Sequence, residues 1–134
     1  MYTYYVHTLD KVVDGDTIDV TIDLGFDIRY SARVRLAGID TPESRTRNLA
    51  EKELGLKSKQ YLKDVLESAE TIIIRTEKPD STGKYGRILG WLFINNETVS
   101  INHKMIDLGY AWSYDGGTKN KDLDFLISKQ KGMS

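Results

Sequence analysis

Cysteine is absent from the 134 residues, which excludes disulfides, thiolate-bound zinc and a cysteine nucleophile and leaves the redox compartment open. Histidine is scarce: His7 and His103 stand far apart in the sequence, poor material for a zinc site or a serine–histidine triad. Neither sign of charge prevails, with 19 Lys and Arg against 20 Asp and Glu and a formal charge of −1. No global field therefore draws in a polyanion, and any nucleic-acid binding has to come from a local patch. No apolar stretch is long enough to cross a membrane, and the opening residues MYTYYVHTLDKVVDGD lack a basic segment followed by an apolar run. The expectation is a soluble chain, cytoplasmic or otherwise unsecreted as written, with no membrane partner. Repeats, linkers and low-complexity stretches are missing as well. At this length, with 40% hydrophobic residues, residues 1–134 are expected to form one monomeric domain that buries its own core without staples.

What is present reads first as strands. Tyr2 to Val13 is rich in aromatic and β-branched residues, and Asp14-Gly15 follows as a hairpin signal. Ile18, Val20, Ile22 and Leu24 then alternate with Thr17, Asp19, Thr21 and Asp23, the pattern of a half-buried strand. A turn at Gly25 to Asp27 leads into a third strand, Ile28 to Ala37. From Asn48 to Ser68, Leu54, Ser58, Tyr61, Leu62, Val65 and Leu66 recur at helical spacing, with Ala69 continuing the stripe. Gly55 counts against a straight helix there. Thr71 to Thr76 and Ile88 to Ile94 supply two more strands. Ser100 can cap a short helix closed by Gly109, Tyr110-Ala111-Trp112 should cover the core, and Lys121 to Lys131 forms a last helix. This order predicts a mainly β (α+β) fold: a five-stranded Greek-key barrel of the OB type, one long helix after strand 3 and two shorter C-terminal helices.

Chemistry concentrates in SARVRLAGIDTPE, Ser31 to Glu43. Val34 and Leu36 share one parity of the strand and Arg33 and Arg35 the other, so guanidinium groups face away from the buried aliphatics. Gly38 permits a bend, and Pro42 holds Thr41 extended, fixing Asp40 and Glu43 in a loop. Asp16 falls on the apolar parity of the second strand, where an unpaired carboxylate at the barrel's mouth is costly and a metal ion removes that cost. Lys84-Tyr85-Gly86-Arg87 places a lysine, an aromatic ring and an arginine at the root of a strand, a composition suited to phosphate and base. An arginine pair on a sheet face, an Asp-Gly turn or a basic loop also occurs as ordinary solvated surface.

Read together, DGDT at Asp14 to Thr17, VRLAGIDTPE at Val34 to Glu43 and KYGR at Lys84 to Arg87, in this order and spacing, resemble the staphylococcal nuclease (thermonuclease) family from about Val12 to Gly132. The resemblance implies calcium held by Asp16, Asp40 and the backbone carbonyl of Thr41. It implies Glu43 as the acid that orients or deprotonates the attacking water, Arg35 and Arg87 on the scissile phosphate, and Lys84 and Tyr85 on a neighbouring phosphate. Tyr114 falls near a tyrosine that helps bind nucleotide in some members. Gly83 replaces a common acidic residue, and the ending KGMS lacks the tryptophan of many relatives. The activity implied is a calcium-dependent endonuclease of low sequence specificity, acting on DNA, preferably single-stranded, and on RNA, to leave 3′-phosphate and 5′-hydroxyl ends. Two other readings stay open: a non-catalytic OB module that binds single-stranded nucleic acid or a protein partner, and a structural calcium site.

Overall fold

The computed structural model describes residues 2–77, 87–119 and 121–132. Its strands β1 (Tyr2–Asp14), β2 (Thr17–Asp23), β3 (Arg29–Leu36), β5 (Ile72–Thr76) and β6 (Ile88–Ile94) close a barrel in the order β1-β2-β3-β6-β5. The remaining strands, β4 (Ile39–Asp40) and β7 (Trp112–Ser113), pair with each other outside it. The barrel is mixed: β3 runs parallel to β6, and its other pairings are antiparallel. β1 is long enough to pair with β5 through Tyr2 to Tyr5 and with β2 from Tyr5 onward, shifting register three times along the way. Such irregularities bend a strand and let one element serve both sides of a small barrel. The expected OB-type barrel with helices is the observed architecture.

Alternation decides what goes inside. Ile18, Val20 and Ile22 of β2, Val34 and Leu36 of β3, Ile74 of β5 and Leu92 of β6 are all at most 1% exposed and meet in one core. α1 (Leu49–Glu67) starts at an Asn48 cap whose side chain accepts the Glu51 N–H, and it turns Leu54, Ser58, Leu62 and Leu66 inward, with Leu62 and Leu66 in the barrel core. α2 (Ile101–Leu108) begins at Ser100, which accepts the His103 N–H, and ends on Gly109 in the left-handed region. Both caps satisfy helix-end groups in the way the sequence indicates. α3 (Leu123–Gly132) buries Leu126 fully, while Leu123 and Ile127 are half-buried. As expected, Ala111 and Trp112 are buried, and Tyr110 packs half-buried against the core and stacks on Tyr61. Among the described residues no helix is long and apolar enough to cross a membrane.

Gly55 has a role its helix propensity does not convey. A Cβ there would lie 2.6 Å from the backbone carbon and oxygen of Glu43 and 2.7 Å from the Pro42 oxygen. The helix carries glycine because the Pro42–Glu43 loop rests directly on it. Gly15 repeats the device: its Cβ would meet Ser58 at 2.9 Å and the Thr41 hydroxyl at 3.1 Å. The β1–β2 turn, the acidic loop and α1 are thereby drawn together at one mouth of the barrel.

Candidate active site

Strand pairing builds this mouth. Thr17 at the root of β2 pairs with Arg35 near the end of β3, and the Leu36 N–H donates to the Asp16 carbonyl at 2.8 Å. The Asp16 and Arg35 side chains are therefore neighbours by register. Gly38, at φ +76, turns the chain beneath Trp91, whose ring leaves no room for a Cβ. β4 then carries Asp40 back to the same point, tied to β7 by the Asp40–Trp112 pairing. A buried Asn102 braces the bend by donating to the Ala37 carbonyl at 2.7 Å and the Gly90 carbonyl at 3.1 Å, while accepting the Leu92 N–H at 3.0 Å.

The result is a guanidinium between two carboxylates. Arg35 Nη1 lies 3.3 Å from Asp16 Oδ2, and Nη2 lies 3.5 Å from Asp40 Oδ1. Nη1 also donates to the Leu36 carbonyl at 3.2 Å. All three side chains are at most 15% exposed. Burial pushes the Asp40 carboxyl above its ordinary value; Lys119 opposes the rise, Asp16 adds to it, and Arg35 and Lys121 oppose it further. Burial prevails over these cations because Arg35 stands at a long 3.5 Å and is shared with Asp16, while Lys119 reaches Asp40 Oδ1 at 3.7 Å from a half-exposed position.

Beside this cluster opens a cleft of about 560 Å³ lined by Arg35, Arg87, Tyr114, Trp91, Leu89 and Lys119 among others. Tyr114 is held there by its N–H, which donates to the Gly38 carbonyl at 2.9 Å. Glu43 is exposed at the edge of the acidic loop, its N–H donating to Glu51 Oε2 at 3.2 Å. Asp16, Arg35 and Asp40 are thus brought into contact, and Arg87 and Tyr114 share a cleft with Arg35. Thr41 is buried beside Gly15. Lys84 and Tyr85 lie outside the described residues. Lys119 and Asn102 were not legible as site residues. One of the two lysines in GGTKNK and an asparagine in a helix give no local signal, and both act through distant partners.

The donor set suits a hard cation. Asp16 and Asp40 offer carboxylate oxygens at a buried mouth, and the Thr41 hydroxyl is buried with no hydrogen-bond partner. Among the described residues no three acidic or imidazole side chains converge. An ion here would take two carboxylates and complete its shell with main-chain and water oxygens, the mixed oxygen coordination that calcium accepts.

Residues 33–131 match the staphylococcal nuclease homologue family. The chain is 31% identical to an uncharacterized protein of Methanocaldococcus jannaschii, over 93% of this chain and 66% of that protein. It is 34% identical to the micrococcal nuclease of Shigella flexneri, over 78% of this chain and 55% of the relative. With the SPbeta prophage-derived endonuclease YokF of Bacillus subtilis the identity is 31%, over 95% of this chain and 41% of the relative. The chain therefore spans less than two thirds of the length of each of these three relatives. With the barrel and the match over residues 33–131 in agreement, the chain belongs to the staphylococcal nuclease homologue family.

Proposed function

We propose that this chain is a calcium-dependent endonuclease of low sequence specificity that hydrolyses DNA, preferably single-stranded, and RNA, to 3′-phosphate and 5′-hydroxyl ends. The observation that carries this reading is Arg35, held 3.3 and 3.5 Å from Asp16 and Asp40 at the rim of a cleft that Arg87 also lines. A phosphodiester resists attack because its charge repels the nucleophile and because negative charge gathers on the phosphoryl oxygens. Arg35 and Arg87 answer that charge with paired donors that strengthen as it develops. Asp16, Asp40 and the Thr41 carbonyl would hold calcium, which when bound polarises a phosphoryl oxygen as a Lewis acid.

Glu43 takes a proton from the attacking water or orients it, in keeping with its exposed position at the loop edge. Water oxygen bonds to phosphorus as the P–O5′ bond breaks; the departing oxygen picks up a solvent proton, and the phosphate stays on the 3′ side. Tyr114, with Trp91 and Leu89, offers the cleft an aromatic and apolar lining. Stacking on such a surface accepts any base, which is why low specificity follows. The names of the micrococcal nuclease and endonuclease relatives support the same reaction class. The test is cleavage of a single-stranded DNA in calcium, in EDTA, and in calcium with Glu43→Ala, with the product ends identified. The expected result is 3′-phosphate ends, no product in EDTA, and a sharp fall in turnover for the variant. Binding that persists in EDTA without cleavage in calcium would make the protein a non-catalytic nucleic-acid module instead.

A further inference from the structure

An acid also lines the cleft. Thr76 and Gly90 lie on the core side of β5 and β6, so Glu77, Leu89 and Trp91 share the opposite face and line the cleft with Arg35. Strand register fixes their order. Arg35 pairs with Leu89 across β3 and β6, and the Glu77 N–H donates to the Leu89 carbonyl at 2.8 Å. Leu89 therefore lies between the arginine and the acid, whose backbones stand about 10 Å apart, two inter-strand spacings.

Glu77 is held in place and not neutralised. Its Oε1 accepts the Trp91 indole N–H at 2.8 Å. The Trp91 ring is itself fixed, stacked on His103 at a centroid distance of 5.2 Å with its edge against Gly38. Among the described residues the indole is the one partner of the Glu77 side chain, which forms no ion pair. Arg35 and Lys119 of the same cleft face Asp16 and Asp40 instead. The cleft's other carboxylate, Asp115, accepts the Gly117 N–H at 2.9 Å.

An unneutralised carboxylate in a cleft for a phosphodiester repels the ligand's charge. Holding Trp91 does not require it, because a neutral amide oxygen accepts the same N–H. The negative charge is useful only toward the part of a nucleotide that donates hydrogen bonds, its base. A nucleotide with its phosphate at Arg35 and its sugar over Leu89 brings its base edge to Glu77. Among the common bases guanine alone carries two adjacent donors, N1–H and the N2 amino group, which match two carboxylate oxygens. Adenine and cytosine set one amino donor beside a ring acceptor, and thymine and uracil flank one N–H with two carbonyls.

We propose that Glu77 is a specificity-determining residue, a base-edge acceptor that favours guanine at the nucleotide whose phosphate lies at Arg35. The inference rests on the proposed nuclease reading and refines its substrate. Stacking keeps the overall specificity low, and Glu77 adds a bias at one position.

The test is binding in EDTA, where no cleavage occurs. Two single-stranded oligodeoxynucleotides of equal length, one of thymidine alone and one alternating thymidine with guanosine, are titrated with the unmodified protein and with Glu77→Gln. The unmodified protein is expected to bind the guanosine strand about tenfold tighter, the scale of one bidentate base contact. Glu77→Gln keeps an acceptor for Trp91 and offers the base a donor, so it should erase the preference or reverse it toward thymidine, whose O4 accepts. A role confined to holding Trp91 would weaken both strands alike and leave their ratio unchanged. Equal affinities in the unmodified protein, or a preference that survives Glu77→Gln, would overturn the assignment. Failure of the unmodified protein to bind either strand would overturn it together with the nucleic-acid reading. The expected preference in a protein that never cleaves in calcium would overturn the catalytic reading alone.

Discussion

Arg33 and Arg35 are two residues apart on one face of one strand, and both face carboxylates in very different surroundings. Around Arg33 the pairing is short, forked and open to water: its guanidinium meets Asp19 at 2.8 Å with the arginine side chain 47% exposed. Around Arg35 the distances are longer, 3.3 and 3.5 Å, and the side chain is 13% exposed between two acids. The better hydrogen-bond geometry belongs to the pair outside the proposed centre. Exposed ion pairs contribute about 0.2–1 kcal/mol, whereas charges held at a buried mouth carry a desolvation cost that neighbouring charges only partly offset. Burial pushes the Asp40 pKa upward, the direction that such a cost dictates. On the proposed reading, a cluster held against its own desolvation is poised for a partner of opposite charge, as a surface ladder is not.

The widest separation between the two regions should appear on Arg35→Lys. Lysine keeps the charge and loses the fork, and we expect cleavage to fall about 10²–10³-fold, the scale for loss of a preorganised donor. Next comes the metal. Calcium at 100 times its dissociation constant should stabilise the unmodified protein by about 2.7 kcal/mol, read as a rise in Tm, and Asp40→Asn should abolish most of that rise. Gly55→Ala tests the packing beneath the mouth. A methyl group 2.6 Å from the Glu43 backbone forces helix and loop apart, with an expected loss of about 1–3 kcal/mol in denaturant unfolding.

The smallest effect belongs to the Arg33 region. The hydrogen bond from Arg33 holds the Asp19 carboxyl below its ordinary value. Its stabilisation is therefore fully present above the unfolded pKa of about 3.9 and is lost as pH falls through the lower folded value. Asp19→Asn should cost about 0.2–1 kcal/mol at neutral pH and progressively less as pH falls through the lowered folded value. A larger loss would place Arg33 in the fold's essential framework and erase the contrast with Arg35.

Much of this contrast was open to reading in the primary structure. The parity of β3 puts both arginines outward, the turn at Gly25 to Asp27 joins the two strands whose register brings Asp16 to Arg35, and Asn48, Ser100 and Gly109 mark helix ends where they fall. Local periodicity and capping suffice for these because they depend on near neighbours. The different fates of the two arginines were not readable. Asp19 lies 14 positions from Arg33, and Asp40 reaches Arg35 only after the Gly38 bend and the β4–β7 pairing, an element too short to leave a pattern. Gly55 reads locally as a weak helix position, and only the loop packed on it gives the reason. Asn102 spans 65 positions to the Ala37 carbonyl, a tertiary bond with no local signature.

The proposed function requires that the buried mouth, and not the exposed ladder beside it, be the reactive centre. The decisive measurement is kcat on one single-stranded DNA in calcium for the unmodified protein, Arg35→Lys and Asp19→Asn, each checked to be folded by circular dichroism. The expected result is a fall of about 10²–10³-fold for Arg35→Lys and a change within about twofold for Asp19→Asn. Equal losses in the two variants, or full activity in Arg35→Lys, would contradict it.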